Sequence, residues 1–273
     1  MTASGEPLAV APIDRPRLQI RPLPATFYLV IDTTRPPFDR IGARRAVNFA
    51  VDRNRIVRLG GSPRTARATC QVLPPNFPGY RPYYPYTAGP GRAPQSTAAR
   101  AKRLVAASGT SGTDVALWWH ESFGKQVGRY LEQQLDSLGY RARLRVFSGD
   151  IGSYYAAIEA PGASWNLAGN AWYADYPTPS TFINVLACSS PYNPGHFCDR
   201  AIDAKLRRAL RLQTESAVAA NESWAALDRD LTDSAAWVAL YTPYSADFVS
   251  KGVGNYQHHP VWGALFGQIW LRE

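Results

Sequence analysis

Three cysteines and four histidines are the residues of this chain best suited to metal or redox chemistry. The cysteines at positions 70, 188 and 198 form no C-x-x-C pair, and no histidine has metal-ligand spacing to any of them. His258 and His259 are followed by Pro260, which disfavours the helix that would place two ligands on one face. The sequence therefore predicts no metal site.

Cys188 and Cys198 bracket a polar, turn-rich loop, CSSPYNPGHFC. In an oxidising compartment they would form a disulfide that closes a short loop and contributes at most ~3 kcal/mol to stability. The alternative is a pair of buried free thiols. In either case Cys70 has no partner.

The chain contains no sequence motif typical of an enzyme active site. GxSxG, HExxH, GxGxxG and P-loop patterns are absent, and Gly109–Gly112 is a turn between predicted elements. No pair of carboxylates stands out as an acid and a base in different environments. We therefore predict a protein that is not an enzyme and needs no cofactor. An enzyme of unrecognised type stays an alternative, which an acid–base pair in a closed cleft would support.

The formal charge of +9 over 273 residues raises the question of a polyanionic partner. The densest basic clusters, Arg100–Arg103 and Arg141–Arg145, fall in segments with an ordinary helix and strand pattern. No nucleic-acid-binding motif accompanies them. We expect a solvated basic surface and no nucleic-acid partner. The alternative, a nucleic-acid or polyanion binder, would show strongly salt-dependent retention on DNA.

The hydropathy pattern bears on membrane insertion and secretion. No run of 18 or more apolar residues occurs, so no membrane span is expected. Residues 1–10 lack a basic stretch followed by an apolar one, so the chain as written carries no signal peptide.

Apolar spacing predicts strands and helices in alternation. A strand is expected over Thr26–Asp32, then a helix capped by Asp39 and ending at Gly60–Gly61. Residues 62–95 are rich in proline and indicate a long surface loop. A helix follows, capped by Ser96 or Thr97 and closed by Gly109.

The clearest unit lies between residues 113 and 147. A buried strand, Thr113–Trp119, precedes a helix closed by Gly139 and an alternating strand, Arg141–Phe147. Strand, helix and strand at these lengths form a βαβ unit with parallel strands, so the fold class is α/β. Further elements are expected over Ser153–Glu159 (helix), Trp165–Trp172 (strand), from Asp199 and after Thr214 (helices), over Trp237–Tyr241 (strand), and as irregular strands in the last 30 residues.

Four segments, in order and spacing, resemble family 5 of the extracellular solute-binding proteins of ABC importers, the peptide and nickel type. They are RPPFDRIGARRAVNFAVDR from Arg35, LPPNFPGY from Leu73, AKRLVAASG from Ala101 and AWYADYPTPSTFIN from Ala171. Each motif alone is weak, whereas four in order from about Thr26 to the C-terminus are specific.

The resemblance implies a two-lobed clamshell of the type II periplasmic-binding-protein kind, of which this chain is the C-terminal half. Residues 1–36 would be a hinge and first-lobe remnant, 37–240 the ligand-binding second lobe, and 241–273 a segment that returns to the first lobe. Most of the first lobe and the secretion signal would lie outside this chain.

The implied function is capture of peptides or similar small solutes outside the cytoplasm, for delivery to the permease subunits of an ABC importer. Nickel chelates and sugars are other cargoes within the same fold, because a fold does not determine its ligand. With one lobe only, ligand capture would be impaired.

The same resemblance assigns four ligand-binding residues. Asp175 matches the aspartate that holds the α-ammonium of the ligand, and Trp172 matches an aromatic residue that lines the cleft. Tyr173 and Asn170 flank it, in a segment that offers backbone groups to an extended peptide. The alternatives are that Asp175 caps a turn before Pro177 and that Trp172 is a core residue.

Overall fold

The computed structural model describes residues 16–61, 64–86 and 97–272. The prediction about a signal peptide falls outside these residues. The helices are α1 Ile41–Ala50, α2 Arg53–Leu59, α3 Ala98–Ser108, α4 Lys125–Ser137, α5 Ile151–Glu159, α6 Ser180–Ile183, α7 Arg200–Glu215 and α8 Ala217–Ser234. The strands are β1 Leu18–Pro22, β2 Ala25–Ile31, β3 Ala66–Ala68, β4 Asp114–His120, β5 Arg141–Phe147, β6 Leu167–Tyr173, β7 Trp237–Phe248, β8 Val253–Gly254, β9 His258–His259, β10 Gly263–Ala264 and β11 Trp270–Leu271.

One seven-stranded mixed sheet organises the described residues, in the order β1-β7-β2-β6-β4-β5, with β3 also paired to β7. β4 and β5 are parallel and are joined through α4, which confirms the predicted βαβ unit. β2 lies antiparallel between β6 and β7. The predicted α/β class is therefore confirmed.

The strand β2 bears on the predicted domain division. It is nearly all buried and lies in the middle of the sheet, next to strands from much later in the chain. The divisions after residues 36 and 240 concern the assembly of a complete two-lobed protein and stay predictions. In the last segment the short pairs β9–β10 and β8–β11 agree with the irregular strands expected there.

The predicted helix from Asp39 to Gly60 is wrong at its start and in its middle. It begins after Arg40, without a side-chain cap, and breaks after Ala50. Asp52 then caps α2 by accepting a hydrogen bond from the Arg55 backbone N–H at 3.1 Å. The Asp52 backbone N–H donates to the Tyr130 hydroxyl at 2.9 Å. The apolar pattern continues through Asp52, but this residue caps a new helix, so the predicted single helix is two.

Arg53 lies fully buried where α2 meets the sheet. Its guanidinium donates to the Ala239 carbonyl at 2.6 Å, the Asn48 carbonyl at 3.0 Å and the Asn48 side-chain oxygen at 2.8 Å. These acceptors are neutral, and burial lowers the pKa of Arg53. The arginine that ends the first family-like segment thus ties α1 and α2 to β7, which is a structural role.

The Pro-rich loop expected over residues 62–95 is more ordered than predicted in its described part. Ala66–Ala68 form β3, and the chain beyond it is buried against Asp228 of α8. The Asp228 carboxylate accepts from the Val72 N–H at 3.0 Å, the Leu73 N–H at 3.1 Å and the Gln71 side-chain amide at 2.6 Å. A distant carboxylate therefore satisfies the backbone donors of this loop, which the loop sequence alone does not reveal.

Burial outweighs these three donors and raises the pKa of Asp228 to about 7. The folded state therefore binds this proton more tightly than the unfolded chain, whose aspartate pKa is about 3.9. Stability from this group is complete below the unfolded pKa and is lost as the pH rises through about 7. We expect the wild type to lose about 2–3 kcal/mol of this contribution between pH 5 and pH 8, measured by urea unfolding.

Two variants isolate that contribution. Asp228→Asn should remove this part of the pH dependence, because its amide does not titrate. Asp230→Asn, on the same helix but in an exposed pair with Lys205, should keep the wild-type profile. An Asp228→Asn profile parallel to the wild type would contradict the assignment.

None of the helices in the described ranges is long and apolar enough to cross a membrane. Part of the basic charge is also internal, since the Arg44 and Arg53 side chains are buried and donate to backbone carbonyls.

Candidate functional site

The end of β6 and the turn after it position all four predicted site residues. Asn170 and Trp172 stand on β6 opposite Tyr28 and Thr26 of β2, and Tyr173 is the last residue of the strand. Asp175 follows in the turn that leads to α6. Trp119 of β4 packs closely against this strand. A Cβ atom added to Gly169 would lie 2.6 Å from the Trp119 ring.

A cavity of about 500 Å³, called here the groove, opens beside this strand end. It is lined by Tyr28, Ile151, Tyr155, Glu159, Asn170, Ala171, Trp172, Tyr173, Asp175 and Tyr192. The structure thus brings the four predicted residues together around one cavity, along with side chains from β2 and α5.

A second cavity of about 500 Å³, called here the side cavity, adjoins the groove. Trp172, Asp175 and Tyr192 line both. The side cavity extends to the apolar face of α7 and is otherwise lined by Tyr176, Thr181, Asn184, Val185, Ala187, Ser189, Ser190, Pro191, Asp203, Leu206, Arg207 and Leu210. A ligand held at Asp175 therefore has space on both sides.

Asp175 is solvent-exposed, and the Thr181 hydroxyl orders it. That hydroxyl accepts from the Asp175 backbone N–H at 3.0 Å and donates to Oδ2 at 3.2 Å. Within the described residues, Oδ1 has no hydrogen-bond partner. The turn-capping alternative is thus part of the geometry, and it leaves one carboxylate oxygen available at the mouth of both cavities.

Trp172 is half-buried, and its ring lies 5.4 Å from that of Tyr192. Its indole N–H is buried and has no acceptor among the residues the structure describes. A buried donor without a partner is costly, and a carbonyl oxygen of a ligand would satisfy it. The side chain therefore packs on the core on one side and borders the cavities on the other.

The other two predicted residues, Asn170 and Tyr173, border the groove and also make contacts within the protein. The Asn170 side-chain oxygen accepts from the Ala171 backbone N–H at 2.7 Å, so part of its capacity is used locally. Tyr173 is 51% exposed, and its ring packs edge-on against Phe27 at 6.0 Å. Both border the groove, with the amide of Asn170 and the hydroxyl of Tyr173 as their polar groups.

Sequence reasoning missed the lining residues of the groove that come from other elements. Tyr28 comes from β2, Tyr155 and Glu159 from α5, and Tyr192 from the loop between the two cysteines. Burial raises the pKa of Tyr28 well above its usual value and that of Tyr155 to about 12, so both hydroxyls stay protonated at neutral pH. The only local signal was the i,i+4 spacing of Tyr155 and Glu159, which puts them on one helix face.

The predicted disulfide between Cys188 and Cys198 is confirmed. It closes the loop that carries Tyr192, and the Cys188 N–H donates to Asp203 of α7 at 3.2 Å. Cys70 is a buried free thiol whose pKa is raised by burial. In the described parts of the chain, no group of three or more His, Cys, Asp or Glu residues is arranged to hold a metal ion.

The sequence profile of the bacterial extracellular solute-binding proteins, family 5 (middle region), matches residues 5–194. The chain belongs to this family. Among curated family 5 relatives, the glutathione-binding protein GsiB of Salmonella typhimurium is 24% identical over 197 residues, which are 67% of this chain and 36% of GsiB. The periplasmic oligopeptide-binding protein OppA of Escherichia coli is 23% identical over 250 residues, 88% of this chain and 43% of OppA.

Solved structures give the same family 5 picture of the fold. The clavulanic acid biosynthesis oligopeptide binding protein 2 superposes with a TM-score of 0.83 at 20% identity, over 95% of this chain and 48% of that one. OppA of Haemophilus influenzae, in complex with RPPGFSPFR, gives 0.73 at 16% identity, over 93% and 50%. The chain spans half or less of these proteins, which agrees with a single lobe of the clamshell. The relatives named here are binding proteins rather than enzymes.

Proposed function

We propose that this chain is the ligand-binding lobe of an ABC-importer solute-binding protein that captures peptides or similar small solutes. The observation that carries the proposal is the groove, where an unpaired carboxylate oxygen, an unsatisfied indole N–H and several aromatic rings converge. The names of the relatives, which concern glutathione and oligopeptides, support this ligand class. Catalysis is not part of the proposal.

Asp175 supplies the charge in this mechanism. Its Oδ1 accepts hydrogen bonds from the ligand ammonium, which offsets the cost of removing that charge from water as the cleft closes. Thr181 holds the other carboxylate oxygen and so limits the rotamer entropy lost on binding.

The edge of β6 supplies backbone groups. On its β4 side, β6 is paired only through Leu167 and Ala168. Among the described strands none pairs with that edge at Asn170–Tyr173. An extended peptide would add along it, with sequence-tolerant backbone hydrogen bonds, while the Trp172 indole donates to a ligand carbonyl.

The location of the protein follows from the same proposal. A disulfide persists in oxidising compartments outside the cytoplasm, where solute-binding proteins meet the permease subunits of their importer. In the assembled clamshell, residues 1–36 and 241–273 would connect to the first lobe. Exposed apolar side chains of the last segment, Trp262, Phe266, Trp270 and Leu271, fit such a contact and favour self-association without it.

One lobe leaves a ligand half-solvated, so weak binding is expected from this chain alone. The test is an NMR titration with millimolar trialanine that follows the Trp172 indole N–H, assigned with Trp172→Phe. We expect a saturable shift of this signal. N-acetyl-trialanine, which lacks the ammonium, should shift it much less. Absence of any shift at the groove residues would contradict ligand capture by this chain.

A further inference from the structure

Two carboxylates border the groove, and the lining contains no lysine, arginine or histidine. Glu159 lines the groove from the end of α5, and Asp175 lines it from the turn after β6. In the described ranges neither carboxylate has an ion-pair partner, although the chain carries a formal charge of +9. Elsewhere carboxylates such as Asp114 and Glu121 do pair, with Arg141 and Lys125. The groove is therefore a local acidic region in a basic protein.

Two basic side chains that share a cavity with Glu159 lie against another carboxylate. Glu159 also borders a smaller cavity of about 300 Å³ that contains Arg35 and His196. Both of these side chains lie against Asp32, at 3.1 Å and 3.5 Å. Asp32 is buried, and it gives both side chains a carboxylate partner other than Glu159.

A second observation independently indicates a ligand in the groove. Tyr28 is only 2% exposed and lines the cavity, and its ring stacks on Trp237 with centroids 3.6 Å apart. Its hydroxyl has no hydrogen-bond partner in the part of the chain that the structure describes. Burial, followed by the proximity of Tyr155 and Glu159, raises its pKa. The hydroxyl is thus the polar end of an otherwise buried side chain that lines the groove, without a protein partner.

The surroundings of Glu159 favour a cation. It is the last residue of α5, where the free carbonyls of the helix end carry partial negative charge. The rings of Tyr28 and Tyr155 border the same space, and aromatic faces attract cations. A Lys or Arg side chain would bring its charge to the carboxylate and its apolar stem to these rings.

We propose that Glu159 is a specificity-determining residue that binds a positively charged side chain of the ligand, while Asp175 holds the ligand's terminal ammonium. The groove therefore selects basic peptides over neutral and acidic ones. This inference rests on the proposed function of the groove. The predicted preference for basic peptides is opposite to the one that net charge would give, because a protein of formal charge +9 attracts acidic peptides at long range.

The test compares trilysine, trialanine and triglutamate by NMR titration on the wild type, Glu159→Gln and Glu215→Gln. Glu215 lies exposed at the end of α7, outside both cavities, and its variant makes the same change in charge. We expect the wild type to bind trilysine roughly 5- to 10-fold more tightly than trialanine, and triglutamate least. Glu159→Gln should reduce the trilysine preference to about twofold or less, and Glu215→Gln should keep it.

The outcomes separate this inference from the proposed function. Equal affinity for the three peptides would overturn the role of Glu159 and leave the groove as a peptide site. So would tightest binding of triglutamate and weakest binding of trilysine, the order that the net positive charge of the chain alone would set. A trilysine preference that survives in Glu159→Gln would do the same. If none of the peptides shifts the groove signals, the proposed function fails and this inference with it. Circular dichroism of each variant confirms that the fold is retained.

Discussion

Peptide binding is expected to weaken by about 2–5 kcal/mol when Asp175 is replaced by Asn in an assembly with a complete first lobe. Closure of the second lobe strips water from the ligand ammonium, so removal of its carboxylate partner leaves a buried charge without compensation. Asn keeps the shape of the side chain and an oxygen for the Thr181 hydroxyl, so the turn should persist. The measurement is calorimetric titration of a hybrid in which this chain is joined to the first lobe of a family 5 relative.

The matched control is Glu222→Gln, which makes the same change in charge at an exposed residue paired with Arg81. Its affinity should stay within a factor of about two of the parent hybrid, since exposed charges outside a binding site contribute little. Equal affinity of Asp175→Asn and the parent would show that Asp175 only orders its turn.

The second large effect concerns stability. Arg53→Ala is expected to lower the free energy of unfolding by about 4 kcal/mol, because it leaves buried oxygens of Ala239 and Asn48 without donors and opens a cavity. Arg53→Lys should cost almost as much, since an ammonium cannot fork between these acceptors. Urea unfolding with Trp fluorescence measures both.

Arg55 supplies the comparison for that experiment. It is exposed on the same helix and lies over the Tyr130 ring at 4.9 Å. Arg55→Ala should cost less than about 1 kcal/mol. If Arg53→Ala cost no more than Arg55→Ala, the buried hydrogen bonds would not be what holds α2 to the sheet.

Elements whose causes are local could be predicted from the sequence. Gly109 ends α3 in the left-handed region at φ 64°, as its position after an apolar stripe indicated. α7 starts next to Asp199 as expected, and the Asp199 side chain caps it by accepting from the backbone N–H groups of Ala201 and Ile202. The βαβ unit followed from the lengths of its strands and helix.

Elements that depend on residues far away in the sequence could not be predicted. β7 was expected over Trp237–Tyr241 and runs on to Phe248, because β1 and β3 pair with its second half. Those partners are short and flanked by prolines, so they have no strand pattern of their own. The order in the Pro-rich loop likewise depends on Asp228, far along the chain.

The candidate site likewise has one part that the sequence can locate and one part that it cannot. The residues from Asn170 to Asp175 form one continuous segment, which resemblance to a family can locate. The wall formed by Tyr28, Tyr155 and Glu159 exists only because β2 and α5 pack beside β6. Apart from the i,i+4 spacing of Tyr155 and Glu159, the neighbouring sequence does not distinguish these residues from ordinary core and surface positions.

Tyr192, the ring against Trp172, sits inside the loop closed by Cys188 and Cys198. Recombinant material made in a reducing cytosol would therefore hold this ring through hydrogen bonds of the loop alone, among them those of Cys188 with Asp203 and of Asn193 with Ala187 and Phe197. Far-ultraviolet spectra report on helices and strands and not on this loop, which contains neither. The thiol content of each batch, rather than its secondary structure, is the appropriate quality criterion before any affinity is recorded.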